Sequence, residues 1–111
     1  MLRDFTIWLA NNLEDGDLEI LRDEGAVNGV PGMMYYHETE ELYKQFNYDM
    51  WEAITNYCET TGLTLSDILV NIVGSGCQTH RQFANGLVWF AAEMYADDAI
   101  RLRKQYKDAG M

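Results

Sequence analysis

The stretch THRQFANGLVWFAAEMYADDAIRLRKQYK, residues 79–107, decides the fold. It contains no proline, and its apolar side chains recur at three- and four-residue steps, which places them on one side of an α-helix. Thr79 followed by Gln82 matches the capping box with which many helices begin. We therefore predict one long helix from residue 80 to about 107 with an apolar stripe that faces a core. The stripe consists of Phe83, Leu87, Phe90, Met94 and Tyr95, with Val88 and Trp89 beside it.

A second long helix is predicted over residues 40–60, where apolar side chains follow the same periodicity. Thr39 fits its N-cap, acidic residues fill its first turn, and Gly62 fits its end. Its core-facing stripe is Tyr43, Phe46, Met50, Ile54 and Tyr57. Shorter helices are predicted over residues 3–13 and 17–24, and from Thr64, which pairs with Asp67 at capping spacing. The sequence therefore predicts an all-α, compact bundle of four to five helices, forming a single domain over residues 1–111.

The segment 25–38 interrupts the helical pattern. It contains the turn dipeptides Asn28-Gly29 and Pro31-Gly32. Asn-Gly between two valines indicates a tight hairpin turn, but the flanking runs are very short and Pro31 cannot donate to a strand ladder. We expect a minimal hairpin or an ordered loop near residues 25–38.

Composition limits the classes of function. The formal net charge is −10 in 111 residues, so direct binding to nucleic acid or to an anionic membrane is disfavoured by repulsion. The start of the chain, Met1–Phe5, does not resemble a secretory signal, and no apolar run is long enough to span a membrane. Two cysteines are too few for a disulfide framework, and we therefore expect a reduced, cytoplasmic protein without a cofactor.

The acidic excess lies entirely in the first half of the sequence. Residues 1–60 hold 13 acidic side chains and only three basic ones, whereas residues 61–111 hold five of each. The acidic half thus has no balance of acidic and basic side chains, and a face of closely spaced carboxylates could imitate the charge density of DNA phosphates. The candidate partner-binding carboxylates are Glu14, Asp15, Asp17, Glu19, Asp23 and Glu24, with Glu38, Glu40 and Glu41 as a second patch. Tyr35 or Tyr36 is a candidate aromatic anchor.

Catalytic and metal sites have weaker support. Cys77 and His80 have the C-x-x-H spacing of a zinc half-site, but His37 and Cys58, which would complete the set, are isolated. A nucleophilic Cys77 next to His80 lacks an acidic orienting group. Asp15-Gly16-Asp17 is similar to the start of a calcium loop without its later ligands, and the Gly74-Ser75-Gly76 turn lacks the lysine of a phosphate loop. We assign no catalytic residue and no metal ligand, and expect a protein that is not an enzyme.

Two segments resemble a small phage-encoded protein family of unknown function. The first is GVPGMMYY at residues 29–36, which leads through Glu38 and Thr39 into an acidic helix. The second is QFANGLVWFA at residues 82–91. These motifs are core and capping residues, so the resemblance bears on the fold and transfers no catalytic residue. Phages encode many small acidic proteins that inhibit host defence, including anti-restriction and anti-CRISPR inhibitors, so the resemblance implies a function of that kind by analogy.

The leading hypothesis is a stoichiometric, non-enzymatic inhibitor. Its acidic half would block the basic surface of a nucleic-acid-binding host defence complex by protein–protein contact, as a DNA mimic. The alternative is a homodimeric structural or regulatory helical module, whose apolar helix faces pair with each other and which mimics no nucleic acid.

Overall fold

The computed structural model describes residues 2–25, 36–73 and 80–110. These residues form five α-helices and no strand. The helices are α1 (Asp4–Asn12), α2 (Asp15–Asp23), α3 (Tyr36–Thr61), α4 (Leu65–Val73) and α5 (His80–Asp108). The prediction of an all-α bundle of four to five helices is confirmed. The hairpin or loop predicted near residues 25–38 lies largely outside the described residues.

The chain divides into two compact units, residues 1–33 with 92–111, and residues 34–91. We call them unit 1 and unit 2; helix α5 contributes its first part to unit 2 and the rest to unit 1. The prediction of one domain over residues 1–111 stays a prediction.

Unit 1 is built around the buried side chains of α1, α2 and the second part of α5. The Phe5 ring meets the Tyr95 ring edge-on at a centroid distance of 6.5 Å and stacks on Trp8 at 6.0 Å. The side of α5 that faces this core carries mainly alanines, which take up little volume. The larger side chains of α1 and α2 therefore fill most of the core. The buried residues include Phe5, Leu9, Ala10, Leu13, Leu18, Leu21, Ala92, Tyr95, Ala96, Ala99 and Leu102.

Unit 2 has a core of Ile54, Ile68 and Leu87, which lie on α3, α4 and α5 respectively. Aromatic side chains and Cys58 surround this core and are half-buried. The Tyr57 ring meets Phe90 edge-on at 5.5 Å. Three helices are thus joined through one apolar cluster, with aromatic rings closing its edges.

Helix α3 is kinked at Phe46, whose backbone angles (φ −119°, ψ 25°) are not helical. No proline or glycine occurs in α3, so neither residue causes the kink. The Asn47 side-chain amide donates to the Lys44 carbonyl at 3.4 Å and supplies a bond within the disturbed turn. Across the kink, the Trp51 indole N–H donates to the Tyr43 hydroxyl at 3.3 Å. Both rings also contact Phe83, which holds the two parts of α3 to α5 within unit 2.

The predicted ends of the helices over residues 17–24 and 40–60 are confirmed by the glycines that follow them. Gly25 (φ 80°) follows α2 and Gly62 (φ 77°) follows α3, both in the left-handed conformation that glycine adopts most readily. Thr64 and Asp67 form the predicted capping box: each backbone N–H donates to the other side chain at 3.2 Å.

The prediction of Thr39 as an N-cap is wrong. Helix α3 begins at Tyr36, and Thr39 is fully buried inside it. Glu38 is the acidic residue in the first turn of α3, where the helix dipole favours negative charge. A threonine followed by acidic residues matches a cap pattern wherever it occurs in a helix, so the pattern alone could not place the start.

The prediction of Met94 as a core residue is also wrong, because its side chain is exposed. The buried side of α5 runs instead through alanines, including Ala84, Ala91 and Ala92. Small side chains allow close helix packing, and the prediction had weighted only the large apolar residues. The Thr79–Gln82 capping box lies outside the described side chains, although α5 does begin at His80.

Candidate functional site

The candidate carboxylates of residues 14–24 are carried by α2 and the residues that flank it. Leu18 and Leu21 anchor this helix in the core of unit 1, which fixes the remaining positions toward solvent. The exposed carboxylates are Glu14, Asp15, Glu19, Asp23 and Glu24, and Asp17 is half-buried. The structure thus places all six predicted residues on one short helix or at its two caps, but it gives them different surroundings.

Asp15 is engaged by two cations from the far end of the chain. Its carboxylate pairs with Arg103 Nε at 2.7 Å and with Lys107 Nζ at 2.7 Å. The hydrogen bond from Lys107, together with the charges of both cations, holds the pKa of Asp15 below its ordinary value. Asp15 is therefore already neutralised from within the chain.

Arg103 also connects two helix ends. Its Nη1 donates to the carbonyl oxygens of Ala10, at 3.3 Å, and of Leu13 at the end of α1. Carbonyls at a helix C-terminus lack intrahelical partners and carry partial negative charge, so a guanidinium group suits them. Arg103 thereby ties the end of α1 to the first turn of α2. We call Arg103, Asp15 and Lys107 the Arg103 staple.

Asp23 is neutralised by its neighbour. Arg22 Nε donates to Asp23 Oδ1 at 2.7 Å and Arg22 Nη2 to Oδ2 at 3.0 Å. The bond from Arg22 lowers the pKa of Asp23 and raises that of Arg22. The acidic half is therefore compensated in part: Arg22 pairs with Asp23 within that half, and Arg103 and Lys107 reach Asp15 from the other half.

Asp17 and Glu14 are in the opposite situation. No described residue forms an ion pair with either side chain. Burial raises the pKa of Asp17, and the negative charge of Glu14 raises it further. Both effects disfavour the charged form, so an approaching cation would relieve repulsion here. Together with exposed Glu19, these residues form what we call the open acidic surface: Glu14, Asp17 and Glu19.

The second predicted patch lies on the first turns of α3, in unit 2. Glu38 and Glu41 are exposed and Glu40 is half-buried. Lys44 Nζ lies 3.6 Å from Glu40 and 3.5 Å from Glu41, one helical turn away. Part of this patch is therefore balanced by pairs of the kind that stabilise exposed helices only slightly.

The aromatic anchors proposed from sequence, Tyr35 and the side chain of Tyr36, lie outside the described residues. The structure presents a different ring, Tyr48, which is 71% exposed on α3 just beyond the kink. The sequence indicates its exposure, because Tyr48 does not share the helix face of Tyr43, Phe46 and Met50.

The charge is shared between the two units. Unit 1 holds 11 acidic and six basic residues and unit 2 holds seven and two, so each unit carries a net charge of −5. The asymmetry between the halves of the sequence disappears because the basic end of α5 belongs with α1 and α2. The distribution of charge in the folded protein therefore does not follow from the distribution of charge along the sequence.

Among the described side chains, no three His, Cys, Asp or Glu residues are grouped so that they could hold a metal ion. Cys58 is a free, half-buried thiol against the core of unit 2. Cys77 and the side chains of His37 and His80 lie outside the described residues. Within the described ranges, no helix is both long and apolar enough to cross a membrane.

The sequence from residue 7 to residue 105 matches a family described as a domain of unknown function, DUF7222. The chain belongs to the DUF7222 family. The match spans the whole of α2, α3 and α4, the open acidic surface and Arg103, whereas Lys107 lies beyond it. No curated protein and no solved structure matches the chain significantly. The DUF7222 description names no activity, and function must be argued from the surface itself.

Proposed function

We propose that this protein is a small, non-enzymatic inhibitor encoded by a phage. It binds a basic, nucleic-acid-binding surface of a host defence complex, of the CRISPR or restriction type, in the cytoplasm of the host. The complex is thereby blocked by protein–protein contact, without any chemical step. The support is electrostatic: the net charge of −10 and the exposed carboxylates on α2 complement a surface built to hold phosphates.

The observation that carries this proposal is the open acidic surface. Asp15 and Asp23 have cations within the chain, whereas Glu14 and Asp17 have no ion-pair partner among the described residues and the pKa of Asp17 is raised. Burying a carboxylate beside another carboxylate costs folding free energy, because the folded state then holds charge that it does not balance. An Arg or Lys of a partner would balance the unpaired negative charge of Glu14 and Asp17. The repulsion that destabilises the free protein would then be relieved in the complex, which favours binding.

The spacing of the surface fits this role. Glu14 and Asp17 are three residues apart, the spacing at which side chains on a helix lie about 5–6 Å from each other, whereas Glu19 is two residues from Asp17 and faces a different side. Phosphates along one DNA strand repeat about every 3.4 Å along the axis, so Glu14 and Asp17 form a short row that approximates part of that charge density. Asp15 does not belong to this row, because its engagement by Arg103 makes it a structural residue.

The test is a charge reversal confined to the open acidic surface. The variant Glu14→Lys, Asp17→Lys, Glu19→Lys is compared with a control that reverses three exposed acidic residues elsewhere: Glu59→Lys, Asp98→Lys, Asp108→Lys. Both variants change the net charge equally. The measurement is protection of an infecting phage in bacteria with restriction or CRISPR immunity, with circular dichroism to verify folding. We expect protection by the wild-type protein and the control, and none by the variant of the open acidic surface.

Binding is then measured directly with a purified defence complex that the wild-type protein inhibits. We expect affinity to fall by at least about tenfold when NaCl rises from about 50 to about 200 mM, as for other strongly charged interfaces. An affinity that does not change with salt, or equal protection by both variants, would reject the open acidic surface as the binding site. Absence of protection by the folded wild-type protein against every defence system tested would reject the inhibitor function itself.

A further inference from the structure

The last turn of α1 and the last turns of α5 line a cleft that is open to solvent. Its volume is about 470 Å³, and its walls are formed by Ala10, Asn11, Arg103, Tyr106 and Lys107, all of unit 1. The three α5 residues are spaced at i, i+3 and i+4, so they share one side of that helix. Sites for small molecules occupy about 300–1,000 Å³, so the cleft has room for a small organic ligand.

The cleft is rich in hydrogen-bond donors that the described part of the chain does not use. Arg103 directs Nε to Asp15 and Nη1 to two carbonyls at the end of α1, so among the described residues its Nη2 amino group has no partner. Lys107 Nζ donates to Asp15 alone, which leaves two of its three N–H groups. The Asn11 side-chain amide and the Tyr106 hydroxyl also have no hydrogen-bond partner within the described ranges. This donor set suits a ligand with several acceptor oxygens.

Charge favours a phosphate over a carboxylate in this cleft. Arg103 and Lys107 supply two positive charges, and Asp15 balances one of them. A carboxylate ligand repeats the group that Asp15 already supplies from within the chain. A phosphate monoester carries a charge of about −1.5 to −2 at pH 7 and three strong acceptor oxygens, so it attracts the same two cations more strongly.

The cleft also has an apolar part. The Ala10 methyl group, the Tyr106 ring and the aliphatic stem of Arg103 offer carbon surface beside the donors. Aromatic rings favour contact with one another, either edge-on or offset. A ligand that fills the cleft therefore combines a phosphate with an aromatic group.

We propose that this cleft binds a small aromatic phosphate monoester. Its phosphate accepts hydrogen bonds from Arg103 and Lys107, and its ring packs against Tyr106. The net charge of −10 opposes any anion, but charges farther away than about 8 Å are largely screened at physiological ionic strength. Because the cations are shared with Asp15, we expect a dissociation constant of about 0.1–1 mM. This site is independent of the inhibitor function proposed above.

The experiment is a nuclear magnetic resonance titration of the isotope-labelled full chain with phenyl phosphate, at constant ionic strength. Benzoate carries a carboxylate on the same ring, and inorganic phosphate lacks the ring. We expect saturable shifts of the backbone amides at residues 10–14 and 103–107. Phenyl phosphate should bind at least about fivefold more tightly than benzoate, because of its charge, and than inorganic phosphate, because of its ring.

The variant Lys107→Met is compared with Lys104→Met. Both remove one cation from the end of α5, but Lys104 is exposed and does not line the cleft. Asp15 keeps its ion pair with Arg103 in both variants. We expect Lys107→Met to weaken the binding of phenyl phosphate at least about fivefold, and Lys104→Met to weaken it less than about twofold, because an exposed charge is screened.

The proposal is wrong if phenyl phosphate gives no saturable shift up to about 10 mM, which is well above the expected dissociation constant. Equal loss of affinity in the two lysine variants would show that only the overall charge matters. Inorganic phosphate or benzoate binding as tightly as phenyl phosphate would also overturn the assignment. Circular dichroism shows whether Lys107→Met folds. If it does not, Asn11→Asp replaces it, since a carboxylate in the cleft repels the phosphate and leaves Lys107 in place.

Discussion

Replacing Arg103 with methionine should destabilise the protein by about 2 kcal/mol. Methionine keeps most of the aliphatic length of arginine but removes the donors that bind the Ala10 and Leu13 carbonyls and the Asp15 carboxylate. A hydrogen bond from a charged donor contributes about 1.5–3 kcal/mol, and partial exposure of Arg103 places its two carbonyl bonds below that range, at about 1 kcal/mol each. The ion pair with half-exposed Asp15 adds little, because solvent screens it.

The assay is urea unfolding followed by circular dichroism, with thermal unfolding alongside. For a chain of this size a loss of about 2 kcal/mol corresponds to a fall in Tm of about 8 °C. Arg103→Lys keeps the charge but loses the fork that serves two helices, so it should lose about half as much.

Lys104→Met serves as the control, since it removes a cation from the same turn of α5, where Lys104 is exposed. It should change stability by less than about 0.5 kcal/mol. A loss below about 0.5 kcal/mol in Arg103→Met, or an equal loss in Lys104→Met, would refute the staple as a stabilising feature.

Three further predictions use the same unfolding assay. The Thr6 hydroxyl is buried without a hydrogen-bond partner among the described residues, so Thr6→Val should leave stability unchanged or raise it by up to about 1 kcal/mol; a clear loss would reveal a partner. Gly25 has φ 80°, a left-handed conformation that strains any residue with a Cβ, so Gly25→Ala should cost about 1–2 kcal/mol, and a neutral result would contradict this geometry. The bonds from Thr64 lower the pKa of Asp67 in the folded state. The ionised Asp67 carboxylate therefore stabilises the fold fully above its ordinary pKa of about 3.9, and this stabilisation is lost as the pH falls through the lowered pKa. The difference in unfolding free energy between wild type and Asp67→Asn should therefore vanish in acid. A difference that stays constant with pH would refute this role of Asp67.

The helices could be predicted because their signals are local. The α5 pattern predicted residues 80 to about 107, and the structure has His80–Asp108. The Thr64–Asp67 cap was predicted from two residue types three positions apart. The kink at Phe46 could not be predicted, because no proline or glycine marks it and its contacts include Phe83 on another helix.

The candidate site was harder to predict than the fold. Sequence alone grouped the acidic residues of α2 correctly, since they are neighbours in the chain. It could not distinguish Asp15 from Asp17, because the cations that separate them, Arg103 and Lys107, are about 90 residues away in sequence. An ion pair between residues so far apart produces no pattern of spacing or composition that can be recognised in the sequence. For the same reason the acidic half of the sequence was no guide to the charge of each unit.

The division of the chain into units has a consequence for synthesis on the ribosome. Unit 2 is complete once residue 91 has emerged, whereas unit 1 joins residues 1–33 to residues 92–111. Phe5 and Leu9 therefore lack their native cover until residues 92–111 have been translated. At about 5–20 residues per second this delay lasts several seconds, in which the leucines and aromatic rings of the N-terminus are accessible to chaperones. Residues 1–33 are thus made before unit 2, but they can complete their own unit only after it.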